Sequence, residues 1–199
     1  MRDYYDDNVQ IERVGFDEKP APPAWKGILE YAIFLGIVVA ACFLIIKFVA
    51  VRSVVDGVSM NPTLQHGDNL IVEKVSYYFH EPERFDIIVF EPYEGENTHY
   101  IKRVIGLPGE TVQIINGRVH INGELLETDV YGYAIIGNPG IADEPITVGP
   151  DEVFVLGDNR NDSMDSRFAK VGMVSYDRIL GRAMLRFWPF NAITFLGDK

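Results

Sequence analysis

The chain has 199 residues, is 47% hydrophobic and carries a net charge of -11. That length allows one compact domain with a tail or anchor, not two full domains. The acidic balance excludes a protein that works by neutralising phosphates, so nucleic acid is not an expected partner. The single cysteine, Cys42, cannot form an internal disulfide, and its apolar surroundings read as those of a small buried hydrophobe.

Residues 1–26 hold six acids and four bases and end in a cluster of three prolines. Such a stretch buries too little apolar surface to fold alone and is expected to be a disordered tail. Next comes ILEYAIFLGIVVAACFLII (28–46), whose one charge, Glu30, lies near its start. At 1.5 Å per residue this helix is about 28 Å long, close to the ~30 Å hydrocarbon core of a bilayer. A cleaved secretory signal would start nearer the N-terminus and show a cleavage site, and a buried core helix would show a polar face. The anchor is therefore placed at 27–50. The tail's Arg2, Arg13, Lys19 and Lys26 outnumber Lys47 and Arg52 on the far side, which favours a cytoplasmic N-terminus and a single pass through the cell membrane.

Residues 51–199 form an acidic remainder with 13 bases and 22 acids, expected outside the cytoplasm. LIVEKV, DIIVF, YIKRVIG, TVQII, RVHI, EVFVLG and RAMLRFW are short, rich in β-branched or aromatic residues, and separated by turn formers. They predict a mostly β domain. Asn116-Gly117 and Asn122-Gly123 predict two tight hairpins, because both central turn positions need positive φ. These belong to a β-ribbon excursion at about 111–152, and the Gly- and Pro-rich 127–150 within it reads as an irregular surface loop.

Three stretches have the composition of a site. GVSMNPTL (57–64) puts Ser59 on a turn just beyond the apolar segment, where a serine serves either as a turn former or as an exposed nucleophile. In YIKRVIGLPGE (100–110), strand alternation sets Lys102 and Val104 on one face and Ile101, Arg103 and Ile105 on the other. Lys102 is then either turned inward and desolvated, with Arg103 pointing away, or it snorkels from an edge strand. GDNRNDSMDSR (157–167) is rich in acids, but Arg160 and Ser163 stand where a calcium loop needs a ligand and a glycine. A polar turn crossed by ion pairs, with Asp158 and Asp165 facing Arg103, Arg160 or Arg167, fits better. The four histidines lack metal-site spacing, so no metal is assigned.

In order and spacing these stretches resemble the bacterial type I signal peptidases, in the short form with one N-terminal anchor. RFDIIVF (84–90) and GRAMLRFWP (181–189) are similar too, and the resemblance runs from about residue 26 to 190. It implies a coiled antiparallel β-sheet catalytic domain and a serine endopeptidase with a Ser-Lys dyad. In that reading Ser59 is the nucleophile, Lys102 the base, and Ser163 the hydroxyl that orients the lysine amine. Arg103, Asp158, Asp165 and Arg167 match positions that support the site. The implied substrates are secretory preproteins, cut after small residues of the Ala-x-Ala type, with no cofactor.

Two positions depart from the family pattern. Phe85 stands where glycine is common, which leaves the turn geometry open. Gly57 replaces a hydroxyl residue that some members use as an oxyanion donor, so backbone N–H groups, Ser59's own first, are expected to serve.

Met60 is expected at a membrane or substrate surface, and the aromatic runs 77–79 and 187–190 either join it beside the bilayer or pack into the core. Nothing in the sequence calls for an obligate protein partner. Two other readings stay open. A self-cleaving Ser-Lys protease of the repressor type would carry a DNA-binding helix-turn-helix in place of a span. A tethered, non-catalytic β domain would leave Ser59 and Lys102 apart or both solvated.

Overall fold

A computed structural model describes residues 24–48, 50–93 and 98–197. The expected disordered tail falls largely on residues 1–23, outside the described residues.

The chain divides into two units, 1–41 and 42–199. A single helix, α1 (Ala24–Phe48), crosses from one to the other in sequence, and its stretch Trp25–Leu44 is long and apolar enough to cross a membrane. Side chains 31–44 are exposed all round, as a lipid-facing helix requires and a soluble core helix does not allow. The helix starts at Ala24 and ends at Phe48, and Ala50, the last residue of the segment 27–50 expected as the anchor, already belongs to a strand.

The larger unit is mostly β, as its patterning predicts. Its main sheet contains β1 (Ala50–Val54), β2 (Asn69–Glu73), β3 (Ile87–Phe90), β4 (Tyr100–Gly106), β9 (Glu152–Leu156), β10 (Val174–Ser175), β11 (Ile179–Trp188) and β12 (Thr194–Phe195). The order is β1-β2-β11-β3-β4-β9-β10, with β12 beside β11 and every pairing antiparallel. A second sheet, in the order β7-β6-β5-β8, is built from β5 (Thr111–Ile115), β6 (Arg118–Ile121), β7 (Glu124–Leu125) and β8 (Ile146–Thr147). Both expected hairpins form, with Asn116 at φ 52° and Gly117 at 72°, and Asn122 at 54° and Gly123 at 85°.

The ribbon is joined to the main sheet by a shared core. Val112, Ile114, Val119 and Ile121 pack with Ile105, Phe154 and Leu156. Most of the stretch 127–150 lies at the surface, as its Gly and Pro content suggests, but Ile136, Ala142 and Val148 are buried in that same cluster. Turns dominate its composition, but apolar residues spaced between the turns are enough to seal the ribbon onto the sheet. A second cluster, with Met60, Leu64, Leu70, Val72, Ile87 and Val89, lies beneath the long β1–β2 loop.

Candidate active site

The β1–β2 connection, residues 55–68, is closed at its base by Val55 N–H to Asp68 O and Gly67 N–H to Val55 O, both 2.9 Å. Asp68 accepts from Gln65 N–H at 2.9 Å and pairs with Arg186 at 3.0 Å, so the loop's own acid fixes its return. Met60 is 1% exposed and Leu64 fully buried. These two apolar residues anchor the loop from below and leave Ser59 at the mouth of a cleft of about 520 Å³. Met60 therefore does not meet lipid as expected. Its side chain turns down into the core, where its burial is worth roughly 1.5–3 kcal/mol, although the residue still helps line the cleft.

Lys102 sits in the middle of β4, opposite Ile88 of β3. It is 4% exposed, and its Nζ donates to Ser59 Oγ at 2.8 Å and to Ile101 O at 3.0 Å. Burial penalises the ammonium form and pushes the amine down to about 8, against the opposing pull of the Asp165 and Asp158 carboxylates. A neutral amine inverts the first bond: the serine O–H then donates to the nitrogen lone pair over the same distance.

Arg103 occupies the opposite face of β4, as alternation requires, but it does not point away to solvent. It is 2% exposed because that face is covered too. Its guanidinium grips Asp158 with two bonds, Nε to Oδ1 at 2.8 Å and Nη2 to Oδ2 at 2.6 Å. It also donates to Phe85 O at 2.9 Å and lies 3.5 Å from the centre of the Tyr131 ring. Such a fork-to-fork pair fixes orientation as well as charge. Asp158 Oδ2 accepts a further bond from Thr63 Oγ1 at 2.5 Å, which ties the pair to the Ser59 loop. Thr63 lies inside a stretch already singled out, but only the fold brings it to Asp158, 95 positions away.

The loop 157–167 clasps Ser59 from the other side. Asn159 N–H donates to Ser59 O at 3.0 Å, and its side-chain amide donates to Val58 O at 3.2 Å. Asp165, fully buried, accepts from Gly157 N–H at 3.0 Å and from Arg167 Nε and Nη2, both at 2.8 Å. Arg160 donates to Gly157 O at 3.0 Å and to both oxygens of Asp129 at 2.7 Å. Asp129 comes from the 127–150 stretch and was not singled out in the sequence, where it is one of many surface-type acids. Ser163 Oγ is buried and makes no hydrogen bond among the described residues, so Lys102 is not among its partners.

The two departures from the family pattern acquire definite geometry. Phe85 adopts φ 73°, the left-handed conformation that costs a bulky residue and that glycine accepts freely. Gly57 is at φ 106°, with open space where a Cβ would stand, and its N–H reaches His66 Nδ1 at 3.3 Å.

With this geometry in place, comparison with known proteins is decisive. The sequence model described as "Signal peptidase, peptidase S26" matches residues 28–188. The chain belongs to this family. It is therefore a peptidase, and curated relatives span nearly its whole length. A signal peptidase I of Leptolyngbya laminosa is 45% identical over 88% of this chain and 87% of its own. A probable signal peptidase I-2 of Synechocystis is 38% identical over 96% and 86%. The signal peptidase I T of Bacillus subtilis is 37% identical over 87% and 92%. Among solved structures, a signal peptidase I of Enterococcus faecalis aligns with TM-score 0.43 and 33% identity, covering 53% of this chain and 98% of its own.

Proposed function

We propose that the chain is a membrane-anchored serine endopeptidase that removes signal peptides from translocated preproteins, with Ser59 as nucleophile and Lys102 as general base. The observation that carries this is the 2.8 Å contact between Lys102 Nζ and Ser59 Oγ in a setting that lowers the amine to about 8. A tethered, non-catalytic β domain has no reason to bury a lysine against a serine.

The chemistry follows from the protonation state. At pH 7 an amine with a pKa of about 8 is neutral in roughly a tenth of molecules, against about one in two thousand for an unperturbed lysine. The neutral amine takes the Ser59 proton as Oγ attacks the scissile carbonyl. The resulting ammonium returns that proton to the departing amine, and water, deprotonated by the same lysine, releases the acyl group. The Ser59 N–H has no hydrogen-bond partner among the described residues and is suited to receive the carbonyl oxygen. Ser163 Oγ, buried and without a hydrogen bond among the described residues, is the hydroxyl assigned to orient the amine during turnover. Asp158, Arg103, Asp165 and Arg167 hold the loop against Ser59.

The substrate lies extended in the cleft, its small residues before the cut read by shallow pockets. The helix α1 anchors the enzyme in the cell membrane with the N-terminus cytoplasmic. The test is cleavage of a preprotein carrying an Ala-x-Ala site by the full chain in detergent, with the cut position read by mass. Ser59→Ala and Lys102→Ala are each expected to abolish cleavage, and a serine-directed acylating probe should label the parent but not Ser59→Ala. Cleavage by Lys102→Ala near the parent rate would refute the dyad.

A further inference from the structure

On the face of β4 away from Lys102 lies a second cleft, about 680 Å³ in volume, whose wall includes Arg103, Phe85, Thr63 and Tyr131. A guanidinium at such a wall would ordinarily be hydrated, yet Arg103 is almost fully buried. Its cover is Tyr131, whose ring centre lies 3.5 Å from the guanidinium carbon. Phe85 braces that ring, with 5.3 Å between the two ring centres. The edges of Arg103 are already committed, Nε and Nη2 to Asp158 and Nη1 to Phe85 O. The flat face of the guanidinium is what remains for the tyrosine to take.

The segment that supplies Tyr131 is shaped against the arginines of the site. Two positions earlier Asp129 pairs with Arg160, and one position later Gly132 leaves room for that same side chain, since a Cβ there would stand 2.3 Å from Arg160 Cζ. The cleft's other arginines have acids of their own: Arg84, Arg182 and Arg186 pair with Glu110, Asp86 and Asp68, while Glu83 is exposed. What Tyr131 covers matters to Lys102. Burial favours the neutral amine there, and the Asp165 and Asp158 carboxylates pull toward the ammonium. Asp165 is held by Arg167, and Asp158 by Arg103. The Tyr100 ring centre lies 5.1 Å from Lys102 Nζ, and Asp56, His99 and Asp162 line the cleft that holds Ser59. Water reaching Arg103 would weaken its grip on Asp158 and leave more of that carboxylate's charge to act on the ammonium.

We propose that Tyr131 is a positioning residue of the site: its ring keeps water from Arg103, so that Asp158 stays committed to that guanidinium instead of drawing on the Lys102 ammonium. This rests on the reading of Lys102 as general base, and the test keeps the two apart. Full-length protein in detergent is compared with Tyr131→Phe, which keeps the ring, and Tyr131→Leu, which removes it. Tyr131→Met takes the place of the leucine variant should urea unfolding show that it does not fold. For each, kcat/KM on a soluble Ala-x-Ala peptide without titrating groups is followed against pH. Independently of activity, lysine isotopically labelled at Cε reports the titration of Lys102 by NMR, its signal identified by its loss in Lys102→Arg.

The expected Tyr131→Leu profile is displaced to higher pH, several-fold slower at neutral pH and approaching the parent on the alkaline plateau. The Lys102 signal should be displaced alike, and Tyr131→Phe should match the parent in both readings. A ring-free variant with the parent's midpoint, whatever its rate or stability, would overturn the proposal and leave the dyad standing. So would a Tyr131→Phe profile displaced as far as that of Tyr131→Leu, since the hydroxyl and not the ring would then matter. Failure of both ring-free variants to fold would assign the ring to stability alone and overturn the proposal as well. Cleavage by Lys102→Ala near the parent rate would overturn the dyad and the proposal together.

Discussion

Lys102 makes the proposed site sensitive to pH in a definite direction. In the proposed dyad the base is the neutral amine, so kcat/KM should fall about tenfold per unit below pH 8 and level off above it. Lys102→Arg should show no such rise at any accessible pH, since a guanidinium stays protonated. A pH–rate profile on a peptide with no titrating group checks both. Stability moves the same way: between about 8 and 10.5 the unfolded chain holds a proton that the folded one has released, so folding is favoured as pH rises through that window. Gly157 is the other sensitive position. A Cβ there would come within 2.3 Å of Ser163 Oγ and 2.5 Å of Ser59 O. Gly157→Ala should therefore push the clasp off Ser59, costing about 1–3 kcal/mol by overpacking. The expected kinetic signature is a lower kcat at nearly constant KM.

At the scale of elements, the 127–150 stretch is tied to the 157–167 loop through Asp129 and Arg160, 8% and 3% exposed. Asp129→Ala leaves a buried guanidinium without its carboxylate and should cost about 3–5 kcal/mol in urea unfolding. Phe85 offers a comparison of two substitutions. Both Phe85→Ala and Phe85→Gly lose the ring contact with Tyr131, but only glycine relieves the left-handed backbone. Phe85→Gly should thus be the more stable by about 1 kcal/mol, read from denaturation midpoints.

What the sequence revealed at this scale follows from how local each signal is. β4, β5 and β6 were legible to the residue because alternation and Asn-Gly turns are written in neighbouring positions. β1 was hidden because its Ala50 and Val51 continue the apolar run of the anchor. The burial of Arg103 depends on Asp158, 55 positions away, and the role of Asp129 on Arg160, 31 positions away. No local pattern encodes either. The pairing of Ser59 with Lys102 was legible only through family resemblance, since it requires the 55–68 loop to fold back over β4. Met60 misled because one apolar residue beside a serine reads equally as rim or as core.

For the whole molecule, the link between α1 and β1 is the feature with the widest reach. Inserting a flexible Gly-Ser segment at residue 49 should leave hydrolysis of a soluble peptide unchanged while slowing the processing of preproteins held in the membrane. A parallel assay of the two substrates on the same reconstituted enzyme measures this. With a single residue joining Phe48 to Ala50, the protease has almost no leash. In the proposed anchored form, such a short link would confine cleavage to a thin layer above the lipid. A peptide bond would then be selected by its height as well as by its flanking side chains, and an identical motif displayed far above that layer is expected to go uncut.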